Sequence, residues 1–180
     1  MGGTPRIGID ARLRAYRGGG IAEHVSRLLD GLAERRPREQ LVVLDHRKAP
    51  SLPAHPFETR RLWTPPHHRL EGLALPVELI PTRLDLLHCP DVVLPAAWRG
   101  AAVVTVHDLA FMRRPELLTT DSRRYYMGVL DSVRRAHRTI GGARASSLHP
   151  AHRAAPRIPR TDSLRPATTA LLRAGARSRR

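Results

Sequence analysis

The sequence predicts an α/β fold, a Rossmann-like doubly wound and mainly parallel sheet. Runs such as Leu-Val-Val-Leu at residues 41–44 are typical of strands covered on both faces, as in a parallel sheet. Apolar stripes with a period of 3.6 predict helices between the strands. Such a sheet binds ligands in a crevice at the carboxyl ends of its strands. Residues directly after each strand are therefore the first candidates for function.

The first third of the chain predicts a strand, a glycine-rich loop, a helix and a second strand. Residues 6–10 form the first strand, and the loop after it ends in Gly18-Gly19-Gly20. The next strand is residues 41–44, and the Pro-rich stretch 49–66 is predicted to be irregular. The helix between the two strands ends before Pro37, and its apolar stripe consists of Ile21, Val25, Leu28, Leu29 and Leu32.

Two more strands and a second amphipathic helix are predicted further along. The strands cover residues 84–88 and 101–106, and residues 70–79 form a weak helix or turn because Pro76 interrupts them. The second helix begins at an N-cap within residues 119–121. Its apolar stripe consists of Tyr126, Val129, Leu130, Val133 and Ala136.

Charge and composition divide the chain near Ile140. The protein has 31 Lys+Arg against 16 Asp+Glu, a formal net charge of +15. Residues 1–140 contain every aromatic residue and predict a folded domain. Residues 141–180 contain nine arginines, one acid (Asp162) and no aromatic residue. We expect this Arg-, Ala- and Pro-rich segment to be a disordered tail, because it has almost nothing to bury.

The expected compartment is the cytoplasm. Cys89 is the only cysteine, which excludes an intrachain disulfide and a zinc cage of several thiolates. The sequence has no apolar run long enough for a transmembrane helix, and its first residues lack the apolar core of a signal peptide.

Two features place chemistry at the expected crevice. Gly18, Gly19 and Gly20 directly precede a helix, whose N-terminal N–H groups and dipole favour a phosphate. His107 and Asp108 follow a strand, where the imidazole can hydrogen-bond a sugar hydroxyl or a phosphate oxygen. The alternatives are a plain glycine turn and a histidine bonded to a backbone carbonyl.

Other chemistries have weaker support. A metal phosphohydrolase also uses a His-Asp pair, but needs further ligands on facing helices, whereas His88 ends another strand. Cys89 is expected to be a buried, inert thiol rather than a nucleophile. His67 and His68 are expected in a solvated loop. No metal site is predicted.

Nucleic acid is not the expected main partner. Arginine neutralises phosphates, yet the basic residues occur as scattered pairs such as Arg35-Arg36 and Arg113-Arg114. The sequence contains no zinc-finger or RRM signature and no alternation of basic and aromatic residues. Adventitious binding through the tail is the remaining route.

The motifs taken together resemble the N-terminal half of family 4 retaining glycosyltransferases of the GT-B fold. The resemblance runs, in order and with fitting spacing, from about residue 6 to 140. It is carried by Ile7-Gly8-Ile9-Asp10-Ala11-Arg12, Gly18-Gly19-Gly20-Ile21, Leu28-Leu29-Asp30-Gly31-Leu32, Leu86-Leu87-His88-Cys89-Pro90-Asp91, Thr105-Val106-His107-Asp108-Leu109-Ala110-Phe111, Pro115-Glu116-Leu117 and Ser122-Arg123-Arg124-Tyr125-Tyr126.

The resemblance implies an acceptor-binding Rossmann-like domain that works with a second, nucleotide-sugar-binding domain and needs no metal. It implies that Gly19 and Gly20 face the donor phosphates and the acceptor, and that His107 lies by the donor sugar. The implied substrates are a nucleoside-diphosphate sugar and a sugar or lipid-linked acceptor. Peripheral contact with a membrane is a further implied partner.

The sequence departs from the family pattern after Ile140. The resemblance implies a further strand, a serine, a helix and a second domain, but residues from Gly141 onward do not resemble them, and no Glu-x7-Glu pair occurs. We therefore expect a truncated enzyme with a frameshifted tail and a sheet without its closing strand and helix.

Three functions follow from this departure. The chain is expected to be an inactive half-enzyme. The alternatives are one half of a split enzyme with a separately encoded donor domain, and a non-catalytic basic binding protein for nucleic acid or another anionic surface.

Overall fold

The predicted α/β fold is confirmed. The structure is a computed structural model. It describes residues 3–15, 19–50, 55–91, 93–107 and 128–141. Within these residues, six parallel strands form one sheet in the order β3-β2-β1-β4-β5-β6. The strands are β1 (Arg6–Asp10), β2 (Gln40–His46), β3 (Glu58–Leu62), β4 (Leu86–Cys89), β5 (Ala101–Val106) and β6 (Arg138–Gly141).

Helices cover both faces of the sheet. The α-helices are α1 (Gly20–Arg35), α2 (Glu71–Leu79) and α3 (Val129–Arg135), and two 3-10 turns cover Arg12–Ala15 and Ile80–Thr82. Apolar side chains of α1 pack with alternate residues of the strands, among them Ile7, Ile9 and Val103. Side chains of α2 and α3 pack on the opposite face with Leu87, Val104 and their neighbours. The two faces thus hold two separate apolar clusters, as expected for a doubly wound sheet.

The first helix follows its predicted stripe closely. Val25, Leu28, Leu29 and Leu32 are buried, and Ile21 is half-buried against the same cluster. The helix ends at Arg35, because Arg36 adopts the left-handed conformation (φ 47°) and donates its N–H to Leu32 O. Pro37 follows, as predicted.

Two predictions about strands are wrong. The stretch 49–66, expected to be irregular, contains β3, which pairs with β2 at the edge of the sheet. The sheet was also expected to lack its closing strand, yet β6 pairs with β5 from Val103↔Arg138 to Val106↔Gly141. Both edge strands consist mostly of exposed residues, so backbone pairing forms them without an apolar pattern.

The second predicted helix differs in its buried face. Val129 is buried as expected, but Leu130 is exposed and Ser132 is buried in its place. The Ser132 hydroxyl donates to Gly128 O at 2.8 Å and accepts the Leu94 N–H at 2.9 Å, which satisfies it inside the protein. The expected N-cap at 119–121, Tyr126 and the predicted tail beyond Gly141 lie outside the described residues.

Candidate functional site

The sheet reverses its winding between β1 and β4, which are neighbours although β2 and β3 separate them in the chain. In such a sheet the crevice beyond the carboxyl ends of these two strands is the usual ligand position. Polar side chains collect on both sides of this crevice. A histidine cluster lies on the α1 side, and an arginine–carboxylate cluster lies on the α2 side.

The histidine cluster consists of His24, His88 and His107. His24 lies in the second turn of α1 and His107 directly after β5, and their rings meet edge to face with centroids 4.7 Å apart. His88 on β4 hydrogen-bonds the Thr105 hydroxyl of β5 through Nε2 at 3.0 Å. Because side chains alternate along a strand, His88 points to the same face of the sheet as Leu86 in the α1 cluster.

One ring nitrogen of His107 is committed to the fold. Its Nε2 lies 2.7 Å from Pro90 O, and a carbonyl oxygen can only accept, so Nε2 carries a proton and donates it. In the neutral ring Nδ1 is therefore an acceptor, suited to a sugar hydroxyl, and in the charged ring it is a donor. The expected alternative, a histidine bonded to a backbone carbonyl, is therefore correct for Nε2. It does not involve Nδ1, which can still bind a ligand.

His88 is held neutral by its surroundings. Complete burial, with smaller effects from His24 and His107, lowers its pKa from 6.5 to about 3. Its Nδ1 is buried and has no hydrogen-bond partner among the described residues. A charged imidazole in this position would lack both solvent and a counter-charge.

The glycine turn brings the N-terminus of α1 close to this cluster. The Glu23 N–H donates to Gly19 O at 3.0 Å, so the N–H groups of Gly20, Ile21 and Ala22 precede the first backbone bond of the helix. Gly19 provides no side-chain cap, and a Cβ added to Gly19 or Gly20 would meet no atom of the described residues within 4 Å. These two glycines therefore face open space at the positive end of the helix dipole.

The structure thus brings two of the predicted features together. The start of α1, with Gly19 and Gly20, lies near His107 because His24 of the same helix contacts the His107 ring. Gly18 and Asp108 lie outside the described residues. His24 was not among the predicted site residues, although its place four residues after Gly20 on a predicted helix could have indicated it.

The arginine–carboxylate cluster is centred on Arg12, whose side chain is almost completely buried. The guanidinium donates to both carboxylate oxygens of Asp10 at 2.9 and 2.7 Å, to Thr64 O at 2.9 Å and to Glu71 Oε1. Arg12 therefore connects the end of β1, the loop after β3 and the start of α2. Since a guanidinium offers five donors in a fixed plane, arginine suits this position better than lysine.

Burial and pairing act in opposite directions on these charges. Burial alone would lower the pKa of Arg12, but Asp10 and Glu71 hold it above its usual range. Burial raises the pKa of Glu71, while Arg12 and the His67 N–H counteract this effect. Arg12 and Glu71 were not among the predicted site residues, because their pairing depends on packing between segments that are distant in the chain.

Two predictions about polar residues near β4 have different outcomes. Cys89 is buried as expected, and burial raises the pKa of its thiol well above the usual value, so the thiolate that a nucleophile requires is disfavoured. The prediction that His67 lies in a solvated loop is wrong in one respect. The Nε2 atom of His67 lies 2.8 Å from Asp91 Oδ2, and this contact connects the loop to the end of β4.

An open groove of about 580 Å³ lies beside the arginine–carboxylate cluster. Residues at the start of α2, the loop after β4 and α3 line it, including His67, Arg69, Glu71 and Arg135. Arg135 shapes one wall by donating to the carbonyl oxygens of Leu94, Pro95 and Ala96 at 2.8, 3.1 and 3.3 Å. The volume lies in the range of small-molecule sites. Gly19, Gly20 and His107, the predicted site residues that the structure describes, are not among its lining residues.

A smaller pocket of about 20 Å³ lies at the switch point itself. Asp10, Arg12 and Glu71 line it together with Ile21 of α1 and Asp91. This volume has room for about one water molecule. The pocket adjoins the first turn of α1 on one side and the arginine–carboxylate cluster on the other.

No three His, Cys, Asp or Glu side chains among the described residues are arranged so that they could hold a metal ion. No helix in that part of the chain is both long and apolar enough to cross a membrane.

Comparison with known proteins found no matching family model, no matching curated protein and no matching solved structure. The functional assignment of this chain therefore depends on the geometry of its own residues and on the resemblance of its motifs.

Proposed function

We propose that this chain is the acceptor-side, Rossmann-like domain of a retaining glycosyltransferase that uses a nucleoside-diphosphate sugar. The observation that carries the proposal is the contact between His24 and His107. Through it, the uncapped N-terminus of α1 and the histidine after β5 lie on one side of the crevice. The motifs of residues 6–140 support the same assignment by resemblance.

The proposed roles follow from the chemistry of each group. The N–H groups at the start of α1 offer donors and a positive dipole end to a diphosphate. The Nδ1 of His107 offers a hydrogen bond to a sugar hydroxyl, while the bond from Nε2 to Pro90 O fixes the ring orientation. Transfer also requires groups that stabilise the charge on the departing nucleoside diphosphate. In this proposal a donor-binding domain provides them, either on a separate chain or within a longer protein.

The alternative of a basic binding protein has less support in the described residues. Several arginines there bond to the protein's own groups, which leaves them less available for phosphates. Arg6 bonds Glu58 and Gln40, Arg12 is buried among carboxylates, and Arg135 holds three carbonyls. Structural arginines of this kind account for part of the positive charge without a nucleic-acid partner.

A binding titration with a pair of glycine variants tests the proposal. Gly19→Ala places a methyl group in the open space at the helix N-terminus, and Gly31→Ala places one in open space later in the same helix. We expect the chain by itself to bind at least one of a panel of nucleoside-diphosphate sugars weakly by calorimetry, through its own contacts to the diphosphate and the sugar, while the donor-binding domain provides the remaining contacts. Gly19→Ala should weaken this binding about tenfold, because the methyl group blocks the approach to the helix donors.

Gly31→Ala is the matched control and should bind as the unmodified chain does. The proposal would be contradicted if no nucleoside-diphosphate sugar bound, or if Gly19→Ala and Gly31→Ala bound equally well.

A further inference from the structure

One face of α2 is apolar and exposed. Its four large side chains have exposed fractions between 60% and 71%, and a small alanine is exposed among them. We call this set the α2 stripe, and it consists of Leu70, Leu73, Ala74, Val77 and Ile80. The opposite side of the helix is buried in the core through Leu75 and Leu79. The helix therefore has a second apolar face, and exposed apolar patches of this kind commonly mark binding surfaces.

The spacing of the α2 stripe is the same in both directions along the helix. Its four large residues follow at intervals of three, four and three, so the pattern is symmetric about position 75. A two-fold axis at that position would place Leu70 opposite Ile80 of a second copy, and Leu73 opposite Val77. A two-fold interface requires a surface that is complementary to itself, and this spacing has that property.

The α2 stripe also has the depressions that close helix packing requires. In such packing, a side chain of one helix inserts between four residues of the other at positions i, i+3, i+4 and i+7. Exposed apolar residues occupy all four of these positions, and they are Leu70, Leu73, Ala74 and Val77. Ala74 is the smallest of them, so it leaves room for a large side chain of a second copy.

The charged residues of this region are compatible with such packing. Glu71 pairs with Arg12, and Glu78 accepts two backbone N–H groups of the loop after β3, so neither carboxylate is directed into the stripe. Arg69 and Arg83 are exposed at the two ends of the stripe. Long arginine side chains at the ends of an interface can keep their charged groups in water. Two packed copies would therefore bury apolar side chains without burying an unpaired charge.

We propose that the α2 stripe is the interface of a homodimer in which two α2 helices pack antiparallel about a two-fold axis near position 75. The helix follows β3 and precedes β4, so it runs from the carboxyl edge of the parallel sheet back to the amino edge. A domain that closes the crevice would meet only the start of the stripe, whereas a second copy covers its whole length. The antiparallel arrangement leaves both crevices open at opposite ends of the dimer.

The area of the α2 stripe indicates a weak dimer. Side chains of this size that are about two-thirds exposed present on the order of 100 Å² each, so the four large ones present roughly 400 Å² per copy. A standard interface buries about 800 Å² per partner, so the stripe supplies roughly half of one. The exposed Trp63, which donates its backbone N–H to Glu78 of the same helix, enlarges the apolar surface there. We therefore expect a dissociation constant of about 1–100 μM.

Sedimentation velocity of the full chain between about 1 and 200 μM tests the interface. We expect an equilibrium between monomer and dimer in this range. The double variant Leu73→Gln/Val77→Gln should raise the dissociation constant at least about tenfold, because it places two amides at the centre of the apolar seam. Both side chains are exposed in the monomer, so the variant should remain folded, as thermal unfolding can verify. The test needs no sugar substrate, since the dimer is independent of the proposed glycosyltransferase activity.

Leu130→Gln is the matched control, because Leu130 is an exposed apolar residue of a different helix, α3. This variant should dimerise with the same dissociation constant as the unmodified chain. Salt at about 0.5 M should not weaken the dimer, since the proposed seam contains no ion pair.

Cross-linking of introduced cysteines tests the antiparallel geometry. The native Cys89 is buried and should not compete. Ala74 lies next to the proposed axis, so two copies of the Ala74→Cys variant should form a disulfide-linked dimer on mild oxidation. Leu70→Cys is the control on the same face. Position 70 of one copy lies opposite position 80 of the other, about 15 Å from its own counterpart, so this variant should cross-link at least about tenfold less.

Four results would overturn the proposal. They are a chain that stays monomeric over the whole concentration range, equal dimerisation by the double variant, a dimer that salt dissociates, and equal cross-linking by the two cysteine variants. A monomeric chain would assign the α2 stripe to a partner other than a second copy.

Discussion

At the scale of single residues, His88 has the environment with the most direct consequence for stability. Its pKa falls from 6.5 to about 3 on folding, because the buried ring cannot hold a charge. Between pH 6.5 and about 3, His88 is protonated in the unfolded chain and neutral in the folded chain. Stability should therefore decline as the pH falls from 6.5 towards 3, by at most about 1.4 kcal/mol per pH unit from this residue.

Urea unfolding at several pH values between 7 and 4 tests this prediction. His88→Gln retains a side-chain partner for Thr105 without the titrating group, so its free energy of unfolding should decline less steeply with acid. His68→Gln, which changes an exposed histidine, is the control for replacing an imidazole by an amide. Parallel slopes for His88→Gln and the unmodified chain would contradict a neutral, buried His88.

Arg12 should be the most costly single charge to remove. Arg12→Met leaves the carboxylates of Asp10 and Glu71 without their buried partner, and we expect a loss of about 3–5 kcal/mol in the free energy of unfolding. The control is Arg27→Met, which breaks an exposed pair with Glu23 one turn away on α1. That change should cost less than about 0.5 kcal/mol. Equal losses in denaturant unfolding would show that the Arg12 cluster does not hold the loops together.

The sequence indicated some of these residues and missed others for a physical reason. The position of His107 follows from local pattern, because an apolar run ends directly before it and a strand end lies at the crevice. Arg12, Glu71 and the bond between His67 and Asp91 depend on contacts between segments far apart in the chain. Local periodicity contains no information on such contacts.

At the scale of elements, α2 illustrates how a helix tolerates an internal proline. Pro76 has no N–H for the carbonyl of Gly72, and the Ala97 N–H donates to that carbonyl instead, at 2.9 Å. The approach of this loop is close, since a Cβ on Gly72 would lie 3.2 Å from Ala96 Cβ and 3.3 Å from Ala96 N. Because Gly72 has no side chain, the loop after β4 can come close enough for the Ala97 N–H to replace the hydrogen bond that Pro76 cannot donate.

Gly72→Ala should accordingly destabilise the protein, by about 1–3 kcal/mol, since the added methyl group crowds Ala96. The comparison is Gly31→Ala in α1, where no atom lies within 4 Å of the added Cβ. That variant should gain about 0.5–1 kcal/mol from helix propensity. Thermal unfolding of the two variants should shift in opposite directions, and a gain for Gly72→Ala would contradict the close approach.

Elements with a buried face were predictable, and elements at the edges were not. The strands β1, β2, β4 and β5 and the helix α1 show continuous or periodic apolar residues. The strand β3 has four exposed residues out of five, and β6 has three exposed and one half-buried, so neither has a hydrophobic signal. Both form because a neighbouring strand offers unpaired backbone groups, which is a property of the assembled sheet.

At the scale of the whole molecule, the strand order predicts a gradient of local stability. The central strands β1 and β4 pair on both sides and lie between two apolar clusters, whereas β3 and β6 each pair on one side. Native-state hydrogen exchange should show the slowest amides in β1, β4 and β5 and faster exchange in β3 and β6. Uniformly fast exchange in Val103–Val106 would contradict a stable sheet.

The central claim is that the first turn of α1 and His107 form one site for a nucleoside-diphosphate sugar. The most direct measurement is an NMR titration of the histidine-labelled full chain with such sugars, with the ring signals assigned through His24→Gln and His107→Gln. The His24 and His107 signals should move together and saturate at the same ligand concentration, while the signal of His137, an exposed residue before β6, should not move. Signals of His24 and His107 that do not respond, or that respond with different affinities, would contradict it.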